Sequence, residues 1–361
     1  MLISKATNLR IAGISACVPK YEVDNLEYMK QLFRVENDER KVKAVESLIK
    51  STGIEKRRVC ADKKTTSLDL AVKAAENLFE QGSFSPEDFC AVVFVTESPD
   101  YLMPNNSSRA QSLLGLPENT AVLDINHACP GYIYGLWTSS LIANSLGKKV
   151  LLLVAETSSY FVSEYDLVSG PLFGDAGTAT IIEQTTEDTE WLFAFETDGS
   201  KGNVLVTPGF GFREMPSAKK LEYADLPDGG KRRPYDMYMD GQAVFNYVVQ
   251  TVSKYFKEFM SENGKTQDDY DYFVLHQANA FMLKMLARSV GAPASKVPLS
   301  LNKYGNTNSV TIPLNIVSEL KSEISKKTIR TLMSGFGAGL ATGIADIDLG
   351  PCVCPEVIEY E

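Results

Sequence analysis

Three short runs of almost unbroken apolar residues constrain this chain most: CAVVFVTES at 90–98, AVLDIN at 121–126 and KVLLLVAET at 149–157. None alternates polar with apolar, so each reads as a strand buried on both faces. Such strands belong to parallel sheets covered by helices. Helical segments precede and separate them. SLDLAVKAAENLFEQ (67–81) is amphipathic, with Leu68, Leu70, Ala71, Ala74, Ala75 and Leu78 at helical spacing and Ser67 as the expected N-cap. SSRAQSLLGL (107–116) reads as a helix stopped at Gly115, and YIYGLWTSSLIANSLG as a long apolar helix. Before them come an expected strand over 8–18, turned at Pro19, and a helical stretch over 25–51. After them FGDAGTATIIE (173–183) reads as a Gly-rich turn entering a fourth strand. Strands alternating with helices predict an α/β architecture with a largely parallel sheet.

The second half repeats the plan more loosely. MDGQAVFNYVVQTVSKYFKEFM (239–260) reads as one long helix, DYFVLHQAN (271–279) as a strand running into a helix, and 310–325 as helical. TIRTLMSGFGAGLATGIADIDL (328–349) reads as strand, Gly-rich loop, strand. Two related halves follow, 1–190 and 191–361, joined near 185–200. Residues 200–238, punctuated by Gly and Pro, read as a surface loop or lid.

Composition excludes several classes. A net charge of −10 argues against a nucleic-acid partner, which needs a basic face. Six cysteines without a CxxC pair, and only two histidines, argue against a zinc site or a disulfide framework and fit a reducing cytoplasm. The start of the chain, MLISKATNLRIAGISAC, lacks the continuous apolar stretch of a signal peptide, and VLLLVA is far too short for a membrane span. The expectation is a cytoplasmic protein without a membrane partner.

Among residues that could carry chemistry, Cys129 stands where a strand ends and a helix begins, before Pro130. A thiol there meets the positive end of the helix dipole, which favours thiolate, the form that can hold an acyl group. The competing reading is an inert buried cysteine. His276 follows a strand in VLHQAN, at the strand end where α/β folds place their sites, or is simply a hydrogen-bonded loop histidine. Asn306 lies in YGNTNS, a stretch that also suits an ordinary turn. SGFGAG (334–339) could bring backbone N–H groups to an oxyanion or form a tight strand connection. FGDAG (173–177) suits close backbone packing better than phosphate binding.

Taken in order, DINHACPGY, FGDAGTA, VLHQAN, YGNTNS and GFGAG resemble the β-ketoacyl-acyl-carrier-protein synthase III-like condensing enzymes of the thiolase superfamily, as do the flanking STGIEKRR, MPNNSSRAQSLLG and MDGQAVF. The resemblance spans roughly residues 9–349. It implies a thiolase-like five-layered αβαβα fold of two similar halves. It also implies Cys129 as nucleophile, His276 and Asn306 as the paired catalytic residues, and the backbone N–H groups of Cys129 and Ala338 as oxyanion hole. Met103, reaching across a homodimer, and Phe173 would line the acyl pocket. Acyl-CoA or acyl-ACP and malonyl-ACP are the implied substrates, acyl carrier protein or acyl-CoA the partners, with no bound cofactor or metal.

Several positions depart from the family pattern. Ser47, Ser51, Tyr160 and Phe281 stand where a tryptophan and arginines grip coenzyme A, which points to a specialised rather than a housekeeping role. Lys231, Arg232 and Arg233, or Lys284, are the basic residues that could substitute, although the KRR run reads first as a solvated loop. His127, two residues before Cys129, is expected to be a hydrogen-bonded strand-end histidine; the alternative is that it tunes the thiol or acts as a base. Two other functions stay open: a thiolase-fold acyltransferase or thioesterase that uses Cys129 without condensation, and a non-catalytic subunit of a heterodimer.

Overall fold

The computed structural model describes residues 1–35 and 37–361; residue 36, inside the expected helical stretch, lies outside them. Two mixed sheets form the frame. One runs, in spatial order, Ile358–Tyr360, Leu9–Pro19, Ala176–Gln184, Lys149–Glu156, Phe89–Val95 and Ala121–Ile125. The other runs Ile3–Thr7, Glu190–Thr197, Ala341–Leu349, Ile329–Gly337 and Tyr272–Leu275. Each end of the chain therefore sits in the sheet built mainly by the opposite end's neighbours.

The layers follow from the helices' faces. Gly131–Leu146 is apolar all round because it lies between the sheets, with Tyr132, Ile133 and Leu136 fully buried. The helical segment from Thr311 to Ile324 shares that central layer through Ile312, Leu314 and Ile316. Amphipathic Ser67–Gly82 covers the outer face of the six-stranded sheet, and Gly241–Glu262 with Ala280–Val290 covers the outer face of the other. The result is the five-layered αβαβα arrangement of the thiolase fold.

Four details differ from expectation. The sheets are less parallel than the strand–helix alternation suggests: parallel pairing is confined to Phe89–Val95 with its two neighbours, to Tyr272–Leu275 with Ile329–Gly337, and to the C-terminal strand. Ile329–Gly337 and Ala341–Leu349 are joined by a tight turn and so must be antiparallel. Ala121–Ile125 is an edge strand rather than a buried one, leaving Val122 and Leu123 exposed. The 25–51 stretch is two helices, Asn25–Phe33 and Glu39–Thr52. Arg34 ends the first at φ 54°, and Asp38 caps the second through the N–H groups of Arg40 and Lys41. The cap of the 67–82 helix is Thr66, one residue early, because Thr66 and Asp69 form a reciprocal capping box.

Residues 200–238 lie mostly at the surface, with Tyr235, Asp236 and Met237 buried, and carry two small ribbons, Leu205–Val206 against Tyr238–Met239 and Ala224–Asp225 against Lys231–Arg232. Among the described residues no helix is long and apolar enough to cross a membrane.

Candidate active site

The strands Phe89–Val95, Ala121–Ile125, Lys149–Glu156 and Tyr272–Leu275 deliver Glu97, Cys129, Glu156 and His276 at or just past their carboxyl ends. Cys129 is buried, and the turn behind it is tight, with Gly131 N–H donating to the Ala128 carbonyl at 2.6 Å. The strand Ile329–Gly337 passes directly behind this turn. A Cβ on Gly335 would lie 2.7 Å from the Cys129 carbonyl oxygen, and one on Gly337 would lie 2.8 Å from Cys129 Sγ. Glycine at both positions is therefore a requirement of close approach. SGFG belongs to the strand, and only Ala338 to Leu340 turn.

The backbone N–H groups of Cys129 and Ala338 both bear on the sulfur and favour thiolate. Ala338 lies outside the left-handed region, so its side chain is carried without backbone strain and its N–H stays available. The net effect on the thiol is nevertheless the reverse of the helix-dipole expectation. Burial, then the Glu97 carboxyl, and more weakly Glu156, push its pKa well above the ordinary value. Desolvation acts on the whole thiolate charge, whereas the helix end supplies only partial charge.

His276 and Asn306 are tied together by the 306–311 turn. Asn308, at φ 55°, donates its N–H to Asn306 Oδ1 at 2.9 Å. His276 Nδ1 lies 2.7 Å from Thr311 Oγ1, whose hydroxyl is also 3.0 Å from the Asn308 carbonyl. The His276 ring meets the edge of Phe336, and its backbone N–H donates to the Ser334 carbonyl at 2.8 Å. Burial pulls the His276 pKa down to about 3, leaving the ring neutral. Asn306 also bridges to Phe173, which is buried beside Phe161, Val162 and Met237.

Cys129, Ala338, His276, Asn306 and Phe173 are thus drawn to one place. Met103 is not: it is 82% exposed on this chain. Among the described residues His127 has no side-chain hydrogen-bond partner; its ring packs tilted against Tyr134 with centroids 4.1 Å apart, and Tyr134 continues to Phe195. Burial lowers its pKa to about 4. The KRR run is neutralised, since Lys231, Arg232 and Arg233 pair with Asp225, Asp166 and Asp236. Tyr160 donates to the Thr65 carbonyl at 2.6 Å, and Phe281 stacks on Phe245. FGDAG serves packing: the Gly174 Cβ position is occupied by the Tyr304 carbonyl, and Asp175 accepts from Cys60 N–H and Ser159.

Sequence reasoning missed the two acidic residues beneath the thiol. Glu156, fully buried, accepts from Glu97 N–H, Ser98 Oγ and Ser309 Oγ, the last at 2.9 Å. Asn308 Nδ2 donates to Glu97 at 3.3 Å. Burial holds both carboxyls above the ordinary range, and Glu97 raises Glu156 further. The signal lies in the strand runs themselves, where VTES and AET each close an apolar run with a glutamate.

Comparison with known proteins decides the family. Residues 123–199 match the model described as 3-oxoacyl-[acyl-carrier-protein (ACP)] synthase III, and residues 260–348 match that of its C-terminal part. The β-ketoacyl-[acyl-carrier-protein] synthase III of Streptococcus sanguinis is 33% identical over 297 residues, covering 81% of this chain and 87% of the relative.

The chain belongs to the β-ketoacyl-[acyl-carrier-protein] synthase III family.

A second synthase III, from Halalkalibacterium halodurans, is 31% identical over 94% of this chain and 96% of its own length. The crystal structure of a 3-oxoacyl-(acyl-carrier protein) synthase from Burkholderia xenovorans superposes with a TM-score of 0.90 at 34% identity, over 99% of each chain. As a synthase III-type protein, the chain is an acyltransferase-type condensing enzyme, and the cluster around Cys129 is its candidate site.

Proposed function

We propose that the chain loads an acyl group on Cys129 and then condenses it with a malonyl thioester. Cys129 Sγ attacks the carbonyl of an acyl-CoA or acyl-carrier protein. The tetrahedral oxyanion sits between the N–H groups of Cys129 and Ala338, and the thiol proton leaves with the departing thiol. The malonyl thioester then loses CO₂. His276 and Asn306 donate to the enolate oxygen, and the enolate carbon attacks the acyl-cysteine, releasing a β-ketoacyl thioester and restoring Cys129.

The observation that carries this reading is the Asn308 N–H to Asn306 Oδ1 bond at 2.9 Å. It commits the amide oxygen, so the Asn306 NH₂ group is the part free to donate. A neutral, buried His276 suits the same donor role. In this proposal residues 1–190 carry the nucleophile and 191–361 the two donors.

A specialised rather than housekeeping pathway fits Ser47, Ser51, Tyr160 and Phe281, which offer no cation to a coenzyme A phosphate. The ion-paired KRR run does not replace them. The exposed edge strand Ala121–Ile125 and the exposed Tyr101, Leu102 and Met103 support a homodimer in which Met103 enters the partner's acyl pocket. The setting is the cytoplasm.

Intact-protein mass spectrometry with a panel of acyl-CoAs and acyl-carrier proteins, followed by malonyl thioester, tests the reading. A mass gain on Cys129 discharged as a β-ketoacyl product is expected. A gain that malonyl thioester leaves untouched would replace condensation with acyl transfer or hydrolysis.

A further inference from the structure

The proposed mechanism asks His276 to donate from its ring, and a neutral imidazole has one N–H to give. Which nitrogen carries that proton is set by what the other nitrogen meets. Among the described residues, the partner of Nδ1 is the Thr311 hydroxyl at 2.7 Å. Thr311 has one hydroxyl proton and two acceptors in reach, His276 Nδ1 and the Asn308 carbonyl at 3.0 Å.

Two arrangements follow. In one, Nδ1–H donates to Thr311, whose hydroxyl donates on to Asn308; the ring then presents a bare Nε2 and cannot donate to an enolate. In the other, the Thr311 hydroxyl donates to Nδ1, and Nε2 keeps the proton. In the second the Asn308 carbonyl keeps a donor, because it also accepts the Thr311 backbone N–H at the start of its helix, and Nε2–H is left for a substrate oxygen.

We infer that Thr311 is a positioning residue that holds His276 in its Nε2–H tautomer by donating to Nδ1. The inference rests on the condensing role proposed for His276. Thr311 is itself buried at the first residue of the helix Thr311–Asn315, so the helix backbone fixes its hydroxyl. Burial keeps the ring from taking a second proton that would make the choice irrelevant. The same short turn thus sets both donors: Asn308 N–H orients Asn306, and Thr311 orients His276.

The chain has only two histidines, so imidazole ¹⁵N spectroscopy reads the tautomer directly, with His127→Phe leaving His276 alone in the spectrum. The expected wild-type result is a protonated Nε2 and an unprotonated, hydrogen-bonded Nδ1. In Thr311→Val, which keeps shape and loses the hydroxyl, the proton should shift toward Nδ1, and Thr311→Ser should restore the wild-type pattern. Malonyl decarboxylation by the acylated enzyme should fall about 10- to 100-fold in kcat for Thr311→Val and recover in Thr311→Ser, with loading of Cys129 within about twofold of wild type throughout. A wild-type ring protonated on Nδ1, or a Thr311→Ser protein as impaired as Thr311→Val, would overturn the assignment. If wild type loads no acyl group or decarboxylates nothing, the condensing role fails instead, and the spectrum still decides the tautomer.

Discussion

Asn308 donates its backbone N–H to the side-chain oxygen of Asn306 at 2.9 Å, from a left-handed conformation at φ 55°. A single peptide group thereby fixes the orientation of the Asn306 amide. Asn306→Ala removes that donor without touching the thiol. Acyl loading should stay near wild type while decarboxylation falls by about 100-fold or more, the usual loss for one oxyanion donor. Separate assays of loading by mass and of CO₂ release check this; normal condensation by the variant would remove Asn306 from the mechanism.

Gly337→Ala would place a methyl group 2.8 Å from the Cys129 sulfur. Either Cys129 or the strand must move. Loading should drop more than about tenfold, and stability should fall by roughly 1–3 kcal/mol from overpacking. Acylation rates and thermal melts of the two proteins give both numbers.

The Cys129 thiol is held protonated by burial and by the Glu97 carboxyl. Its alkylation by iodoacetamide should therefore climb about tenfold per pH unit from pH 6 to 9 without a plateau, since thiolate is the reactive form. Glu97→Gln removes a raising influence and should speed alkylation at pH 8 several-fold. A plateau below pH 8 would mean that the helix N-terminus dominates after all.

Glu156 is fully buried, and burial together with Glu97 raises its pKa from the ordinary 4.5 toward 8. Between those values the unfolded chain releases the proton and the folded chain keeps it, so stability is lost as pH rises through this window. Glu156→Gln abolishes that component. The loss of stability between pH 5 and 8 should shrink by roughly 1–4 kcal/mol relative to wild type, measured by denaturant titration at each pH.

Neither histidine should supply an acid limb near pH 6.5. Burial lowers His276 to about 3 and His127 to about 4, so protonation removes activity only below that range. Malonyl decarboxylation by the already acylated enzyme should be flat from pH 5.5 to 7, and a limb at 6.5 would place a charged histidine in the site.

Much of this molecule is legible in its amino-acid order. The strands at 89–95 and 149–156 and the helix at 67–82 follow from side-chain periodicity, which depends only on near neighbours. Local pattern leaves Cys129, His276 and Asn306 open between a site role and a structural one; only the ordered motifs that resemble the synthase III family single them out. Contacts between distant segments carry no such mark. Strands Ile3–Thr7 and Glu190–Thr197 find each other across more than half the chain, and nothing local identifies them as partners. The edge position of Ala121–Ile125 also depends on which strand lies beside it, not on its own residues. The charge state of the site belongs to the same class. Helix position alone predicts a reactive thiolate at Cys129, but desolvation and two carboxyls from other strands outweigh it. Periodicity is written residue by residue along the chain, whereas burial and electrostatic coupling exist only once remote segments have packed.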